Sequence, residues 1–351
     1  MANIKDVAKE AGVSVSTVSR VLRKEGYYSK EAKNKVHQAA KDLNYRVNYI
    51  GKSLKSKKSK IIGHLSFGSY SSPLFNRIAS GINNEAYKHD YQIMTVSPVP
   101  DRPISIDDVK KNMDVLLSRQ IEGLILVSPK YKHIDKIIEI ITQENMPSVI
   151  VANPIEVTGI NKVIVNQKSG IYKATNYLIE KGHKKIVLMT KGCGHKATQL
   201  KKKSMNFQRL QGYQDAFRDN NIEYDPEYII LLNEYKFKNG KQSTKKCFDK
   251  LNLDPTAILV TGEIMCMGVI QELYERKLRI PKDISIISTD DLFAANFAPP
   301  ITSISQPFVD LGRKAVETIL EKIDNEQSNI VKEIILEPTL VKRGSVKDLK
   351  S

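Results

Sequence analysis

Apolar and polar positions alternate at helical spacing in three stretches near the start of the chain. Residues 4–11 predict a first helix that Gly12 ends, and residues 14–22 predict a second helix with Ser14 at the N-cap position. Residues 29–44 predict a third helix. Two short helices joined by a tight glycine-containing turn, with a third that closes the core, form a helix-turn-helix. We therefore predict a small all-α domain over residues 1–47.

From residue 61 onward the pattern changes to short apolar runs separated by amphipathic stretches of helical length. Ten runs predict strands: residues 61–67, 91–96, 123–127, 148–152, 163–165, 186–189, 229–232, 257–260, 284–287 and 334–336. Such alternation indicates an α/β body, and ten strands fit two parallel sheets better than one. In open sheets of this type ligands bind beyond the carboxyl ends of the strands. This rule selects residues that follow the runs: Phe67, Ser128, Asn153, Gly262, Glu263 and Asp290.

Positive charge is concentrated in the N-terminal part of the chain. The whole chain carries 55 Lys and Arg against 39 Asp and Glu, a formal net charge of +16. Residues 1–60 hold 15 basic and 5 acidic side chains, a net +10, whereas residues 61–351 hold 40 and 34, a net +6. A small basic domain on a nearly balanced body indicates a module that binds a polyanion.

The second predicted helix carries side chains that suit duplex DNA. A major groove about 12 Å wide admits one α-helix, whose N-terminal residues meet the base edges. Val15 suits a thymine methyl group, Ser16 a donor or an acceptor, and Arg20 a bidentate contact with guanine. Three hydroxyl side chains suit phosphate contacts: Ser14, Thr17 and Ser19. The competing interpretation is a three-helix bundle with a solvated charged face, and the +10 charge favours DNA.

Residues 48–60 carry five lysines, no acidic residue and one isolated leucine, Leu54. The simplest interpretation of such a charge run is a solvated linker. A helix here would be marginal alone, because isolated helices below about 12–15 residues are marginal in water. Segments of this kind can order on DNA and insert a leucine wedge into the minor groove. We therefore treat residues 48–60 as a hinge helix or linker.

Several segments closely resemble the lactose-repressor (LacI/GalR) family of bacterial transcription regulators: IKDVAKEAGVSVSTVSRVL, LNYRVN, SLKSKKSKIIG, FQRLQGYQDAF, RIPKDISIISTDD and LVKRGS. By position, the resemblance implies that Val15, Ser16 and Arg20 read bases and that Leu54 is the minor-groove wedge. Val47 and Gly51 depart from the family, which usually has Pro and Ala at these positions.

The resemblance implies an effector-binding and dimerisation core over residues 61–351, similar to periplasmic sugar-binding proteins. We expect one subdomain at roughly 61–158 with 291–320, and the other at 159–290 with 321–345. Effector contacts follow by position: Phe75, Asn153, Arg209, Glu263 and Asp290. Arg209 and Asp290 offer directional hydrogen bonds to a polyhydroxylated ligand. The residues alone leave open a structural ion pair for Arg209, a loop cap for Asp290 and a core position for Phe75.

These features predict a DNA-binding transcription repressor that a sugar or sugar derivative controls. Gly262 and Glu263 replace a common Asn-Asp pair, Asn166 replaces a frequent Asp, and residues 191–203 are unusually basic. A purine- or phosphometabolite-responsive regulator is therefore the alternative. The resemblance also implies a homodimer, whose two-fold symmetry suits a pseudo-palindromic operator. We expect a dimer and not a tetramer because the chain shows no C-terminal leucine-heptad helix of the kind that family tetramers add.

Other classes of protein find little support in the sequence. No apolar signal segment or membrane-length run is visible, so we expect a cytoplasmic protein without a membrane partner rather than a transport receptor. Three distant cysteines and six histidines without ligand spacing suggest no metal, cofactor or disulfide. Residues 192–197 have the GxGxxA form of a dinucleotide fingerprint, but the acid that should follow, Asp215, falls in a predicted helix. We predict no catalytic residue, and a nucleotide-dependent enzyme is a remote alternative.

Overall fold

The computed structural model describes residues 2–23, 26–45, 59–67, 72–97, 104–128, 131–151, 157–192, 204–232, 234–325 and 330–350. Leu54 and Asn153 lie outside these ranges, as do most of the predicted hinge and most of the basic loop at 191–203. The chain divides into two compact units, Met1–Ser59 and Lys60–Ser351. Across the described ranges, no helix combines the length and apolar character that spanning a membrane requires.

Within its described residues, the N-terminal unit contains three helices: α1 Ile4–Ala11, α2 Val15–Arg23 and α3 Lys30–Asp42. A capping box between Asn3 and Asp6 starts α1, and Gly12 ends it with φ at +64°. The Thr17 amide donates to Ser14 Oγ at 3.1 Å, which confirms the N-cap predicted for α2. The buried core consists of small apolar residues from all three helices: Val7, Ala8, Ala11, Val18, Val21, Val36 and Ala39. The predicted helix-turn-helix is confirmed.

The first subdomain of the core unit contains a six-stranded parallel sheet in the order β2-β1-β3-β4-β5-β11. Its strands are β1 Ile61–Ser66, β2 Gln92–Val96, β3 Gly123–Val127, β4 Ser148–Val151, β5 Asn161–Val165 and β11 Glu333–Leu336. Its helices are α4 Pro73–Lys88, α5 Ile106–Ser118, α6 Tyr131–Gln143 and α11 Phe308–Asp324. Helices α4 and α11 pack on one face of the sheet, and α5 and α6 pack on the other.

The second subdomain contains a six-stranded sheet in the order β7-β6-β8-β9-β10-β12, in which only β12 is antiparallel among these strands. Its strands are β6 Ile186–Lys191, β7 Ile229–Leu232, β8 Ala257–Val260, β9 Ser285–Asp290, β10 Thr302–Ser305 and β12 Thr339–Val341. Its α-helices are α7 Gln167–Glu180, α8 Met205–Asp219, α9 Phe237–Asp249 and α10 Glu263–Glu275. Short 3-10 helices occur at Pro226–Tyr228 and Ala294–Asn296. Helices α7 and α8 cover one face, and α9 and α10 cover the other.

All ten predicted strands are present, but the predicted subdomain boundaries are wrong. Strand β5 belongs to the first sheet, although we expected 159–290 in the second subdomain. Strand β10 pairs with β9 in the second sheet, against our placement of 291–320 in the first subdomain. Strand β11 pairs with β5 in the first sheet, against our placement of 321–345 in the second. The chain thus crosses between the subdomains after β5, β10 and β11, because strand patterns identify strands without identifying their sheet.

Helices α4 and α11 approach each other at backbone distance. A Cβ atom on Gly81 would lie 2.0 Å from the Val309 carbonyl oxygen, and one on Gly312 would lie 2.2 Å from the Ile78 carbonyl oxygen. Neither position therefore has room for a side chain. The two helices form one packed layer against the first sheet.

Candidate DNA-reading and effector-binding sites

The exposed face of α2 carries the residues predicted to read bases. Val15 is 41% exposed, and Ser16 and Arg20 are also exposed. The Arg20 guanidinium lies back along its own helix, where Nε donates to the Ser16 carbonyl and Nη2 to Ser16 Oγ, both at 3.5 Å. These long hydrogen bonds are weak. The guanidinium is therefore available for a stronger partner in a groove.

Hydroxyl groups cluster at the N-terminus of α2. Ser14 Oγ lies 2.8 Å from Ser16 Oγ and 2.9 Å from Thr17 Oγ1. Thr17 and Ser19 are half-buried, whereas Ser14 is exposed. Helix N-termini and short hydroxyl side chains are common phosphate contacts. The structure thus brings together six of the seven predicted DNA-contacting residues, and the seventh, Leu54, lies outside the described ranges.

An exposed tyrosine, which sequence reasoning missed, follows α2. Tyr27 is 89% exposed. The adjacent Gly26 lies beside Arg20 of the exposed face of α2, since a Cβ atom there would be 3.4 Å from Arg20 Cδ. Two adjacent tyrosines, Tyr27 and Tyr28, in the segment between α2 and α3 were the sequence signal for this position.

In the core unit a chain of hydrogen bonds joins Arg209 to Asp290. Arg209 Nε donates to Gln167 Oε1 at 2.9 Å, and Gln167 Nε2 donates to Gln306 Oε1 at 2.9 Å. Gln306 Nε2 then donates to Asp290 Oδ1 at 2.6 Å. Arg209, Gln167 and Gln306 are buried. Two of the predicted effector contacts are therefore connected through two glutamines that sequence reasoning missed.

The chain topology explains this arrangement. Gln167 begins α7, one residue beyond the end of β5, and Gln306 directly follows β10, so each glutamine lies at a crossing between the subdomains. Asp290 ends β9 with φ at +92°. Burial raises the pKa of Asp290, while the nearby Arg209 charge and the Gln306 hydrogen bond oppose the shift. Their position just beyond strand ends could have selected the glutamines from the sequence. They were missed because an uncharged side chain does not stand out among the charged candidates.

Tyr235 extends the same cluster. Arg209 Nη1 donates to the Tyr235 hydroxyl at 2.7 Å, and that hydroxyl donates to Asn206 Oδ1 at 2.9 Å. The Tyr235 ring centroid lies 5.9 Å from the Arg209 guanidinium and 5.8 Å from Lys191 Nζ. An aromatic ring beside paired hydrogen-bonding groups can hold a flat or ring-shaped polar ligand.

The Glu263 carboxylate already has hydrogen-bond partners in the protein backbone. Its carboxylate accepts hydrogen bonds from the Leu292 amide at 3.1 Å and from the Phe293 amide at 2.7 Å. Burial raises the pKa of Glu263 to about 7, the amides oppose the shift, and Asp290 adds to it. The observed geometry gives Glu263 a loop-holding role, and its predicted effector contact stays a prediction.

Phe75 lies on α4, half-buried at the edge of the first subdomain's core. Leu292 of the second subdomain packs against the same cluster. This packing fits the core position that the residues left open for Phe75, and its predicted effector contact stays a prediction. Asn153, the remaining predicted contact, lies outside the described ranges.

A contact with Glu337, which follows β11, explains why position 166 holds an asparagine and not an aspartate. Asn166 Nδ2 donates to Glu337 Oε1 at 2.7 Å, and Ser169 Oγ donates to Glu337 Oε2 at 2.6 Å. An aspartate at position 166 would place a second negative charge against Glu337. Within the described ranges, no group of three or more His, Cys, Asp or Glu side chains could hold a metal ion.

Comparison with known proteins identifies the family. Residues 3–48 match bacterial regulatory proteins of the lacI family, and residues 175–346 match a periplasmic binding protein-like domain. The ribose operon repressor of Haemophilus influenzae is 31% identical over 351 residues, which cover 100% of both chains. The chain belongs to the lacI family. The HTH-type transcriptional repressor PurR of the same species is 32% identical and covers 99% of this chain and 100% of its own.

A solved structure supports the same assignment of this lacI-family regulator. The lac repressor dimer bound to operator and the anti-inducer ONPF superposes with a TM-score of 0.82 and is 25% identical, covering 99% of each chain. The family resemblance and the expected fold, a helix-turn-helix domain with a periplasmic-binding-protein-like core, are confirmed. The chain is a transcriptional regulator with a DNA-binding domain.

Proposed function

We propose that this regulator represses transcription by binding a pseudo-palindromic operator as a homodimer, and that a small-molecule effector in the cleft between the two subdomains controls the binding. The observation that carries the effector proposal is the hydrogen-bonded chain from Arg209 through Gln167 and Gln306 to Asp290. This chain joins candidate ligand contacts to two crossings between the subdomains. A ligand that binds one relative position of the subdomains more tightly shifts the population toward it.

The favoured effector is a sugar or sugar derivative. Arg209 is a buried multiple donor and Asp290 an acceptor, which suits adjacent hydroxyl groups. One relative is named a ribose operon repressor. The alternative is a purine, favoured by the Tyr235 ring beside Arg209 and by a relative named PurR.

DNA reading is assigned to α2, with Val15, Ser16 and Arg20 on the base edges and Leu54 as the minor-groove wedge. The exposed face of α2 supports the first part. The dimer is supported by similarity to the solved structure of the lac repressor dimer bound to operator. A bacterial chromosome lies in the cytoplasm, so the proposal places the protein there. Relatives are transcriptional regulators, which supports a binding protein rather than an enzyme.

Two measurements test the proposal. Selection of genomic fragments at low and high salt should yield an enriched pseudo-palindrome whose binding weakens steeply with salt. A thermal-shift panel of sugars, sugar phosphates and purines should contain a ligand that raises the melting temperature, because ligands stabilise the native state they bind. That ligand should be recovered unchanged after incubation, and its shift should be lost in Asp290→Asn. An absence of any enriched fragment would refute the DNA-binding assignment, and an unchanged shift in Asp290→Asn would refute the site.

A further inference from the structure

The loop at residues 291–293, directly after Asp290, is held from both subdomains. From the second subdomain, the Glu263 carboxylate accepts the amides of Leu292 and Phe293. From α4 of the first subdomain, Arg77 donates from Nη1 to the Asp291 carbonyl and from Nη2 to the Leu292 carbonyl, both at 3.3 Å. The loop amides therefore donate hydrogen bonds to a carboxylate of the second subdomain, and the loop carbonyls accept hydrogen bonds from a guanidinium of the first.

The side chains of the loop are divided in the same way. Leu292 packs against the core of the first subdomain, at the edge that includes Phe75. Asp291 forms an ion pair with Arg343 of the second subdomain, with 2.7 Å between Oδ1 and Nη1. Polar and apolar contacts thus tie this short segment to both subdomains.

The backbone of the loop is strained where it leaves β9. Asp290 has φ at +92° and Asp291 has φ at +55°. Left-handed conformations of non-glycine residues are unfavourable and persist only where the surroundings hold them. Contacts that hold this loop therefore also hold Asp290, whose carboxylate accepts from Gln306.

We propose that Arg77 and Glu263 are positioning residues that form a latch across the cleft, holding loop 291–293 and thereby setting the position of Asp290 relative to the first subdomain. This inference rests on the proposed function, because Asp290 is there an effector contact. Arg77 acts from a rigid base, since α4 meets α11 at backbone distance at Gly81 and Gly312. A ligand that moves Asp290 would therefore have to break or strengthen the Arg77 contacts.

Hydrogen exchange of the free protein, with no ligand and no DNA, tests the latch. The variants are Arg77→Gln, which removes the charged fork, and Arg77→Lys, which keeps the charge but cannot bridge two carbonyls with one planar group. Arg119→Gln is the matched control, because Arg119 is exposed at the end of α5. We expect the amides of Leu292 and Phe293 to exchange about tenfold faster in Arg77→Gln, less so in Arg77→Lys, and unchanged in the control.

A second variant tests the contact between the loop amides and Glu263. Glu263→Gln keeps one acceptor oxygen but loses the charge, so the same two amides should exchange faster while strands β4 and β8 keep their protection. Unchanged loop exchange in Arg77→Gln would overturn the latch. Equal acceleration in β4 and β8 would also overturn it, because that result would mean global destabilisation.

The outcome for the latch is separable from the outcome for the proposed function. If the loop responds to Arg77→Gln but no ligand of the panel depends on Asp290, the effector site fails, while the mechanical link across the cleft holds. If a ligand depends on Asp290 and the loop does not respond, the effector site stands without a latch.

Discussion

The Glu122 carboxylate accepts a hydrogen bond from the backbone amide of Lys60, the first residue of the core unit, at 2.5 Å. Its other oxygen accepts from the Tyr91 hydroxyl at 2.8 Å, and Lys60 Nζ lies 4.1 Å from the centroid of the Tyr91 ring. Lys60 itself has φ at +57°. The point at which the chain enters the core is therefore fixed by one buried tyrosine and one carboxylate.

Removal of the Tyr91 hydroxyl should destabilise the core. A hydrogen bond to a charged group contributes about 1.5–3 kcal/mol, so Tyr91→Phe should lower the free energy of unfolding by an amount in that range. Tyr87→Phe is the control, because Tyr87 is 77% exposed on the same helix-strand unit. Urea unfolding of both variants checks this. Equal stability of Tyr91→Phe and Tyr87→Phe would show that the Glu122 contact contributes nothing.

A buried histidine should make the core sensitive to acid. His64 in β1 is 3% exposed, its Nδ1 lies 3.2 Å from Thr95 Oγ1, and its Nε2 has no hydrogen-bond partner in the described part of the chain. Burial lowers the pKa of His64 from 6.5 to about 4. The folded state therefore favours the neutral ring. Above pH 6.5 the ring is neutral in both the folded and the unfolded chain, so the buried histidine does not reduce the free energy of unfolding there.

As the pH falls from 6.5 toward 4, the unfolded chain binds a proton that the folded chain excludes. This difference should lower the free energy of unfolding by about 3 kcal/mol over that interval. The His64→Leu variant should lack this component, whereas His89→Leu, at a half-exposed histidine, should keep it. Urea unfolding at several pH values gives the difference between variants. Parallel curves for wild type and His64→Leu would contradict the assignment.

Arg20 should read one base pair. If its guanidinium leaves Ser16 to bind guanine, Arg20→Ala should weaken binding to the preferred site by about 1–3 kcal/mol and relax specificity at that base pair. Lys33→Ala is the control, since it removes an equal charge from an exposed position on α3. Selection from randomised operators measures both effects. An unchanged base preference in Arg20→Ala would leave Arg20 as a phosphate contact.

The sequence predicted the elements well and their connections poorly. Strong apolar runs such as β3 and β8 are buried on both faces, so their composition identifies them as strands. Strands β10 and β12 have four and three residues, and β10 holds three hydroxyl side chains and a single isoleucine, so neither forms a long apolar run. The missed glutamines, Gln167 and Gln306, gain their importance only from the crossings, which bring together residues 139 positions apart.

The close contact between α4 and α11 gives a final prediction, for a substitution whose effects on helix propensity and on packing change the stability in opposite directions. Alanine is favoured over glycine inside a helix by roughly 0.8–1 kcal/mol, so propensity alone predicts that Gly81→Ala stabilises the protein. The added Cβ would lie 2.0 Å from the Val309 carbonyl oxygen, so the helices would have to separate. Because overpacking costs about 1–3 kcal/mol and backbone cannot rotate away as a side chain can, we expect net destabilisation.

Gly344→Ala, at a turn, is the control for adding a methyl group where there is room. The nearest atom to a Cβ at Gly344 is Pro299 Cβ at 3.7 Å, an ordinary van der Waals contact. Its stability should change by less than about 0.5 kcal/mol. Thermal and urea unfolding distinguish the two variants. If Gly81→Ala were as stable as Gly344→Ala, α4 and α11 could move apart at little cost, and α4 could not serve as the rigid base from which Arg77 holds the loop.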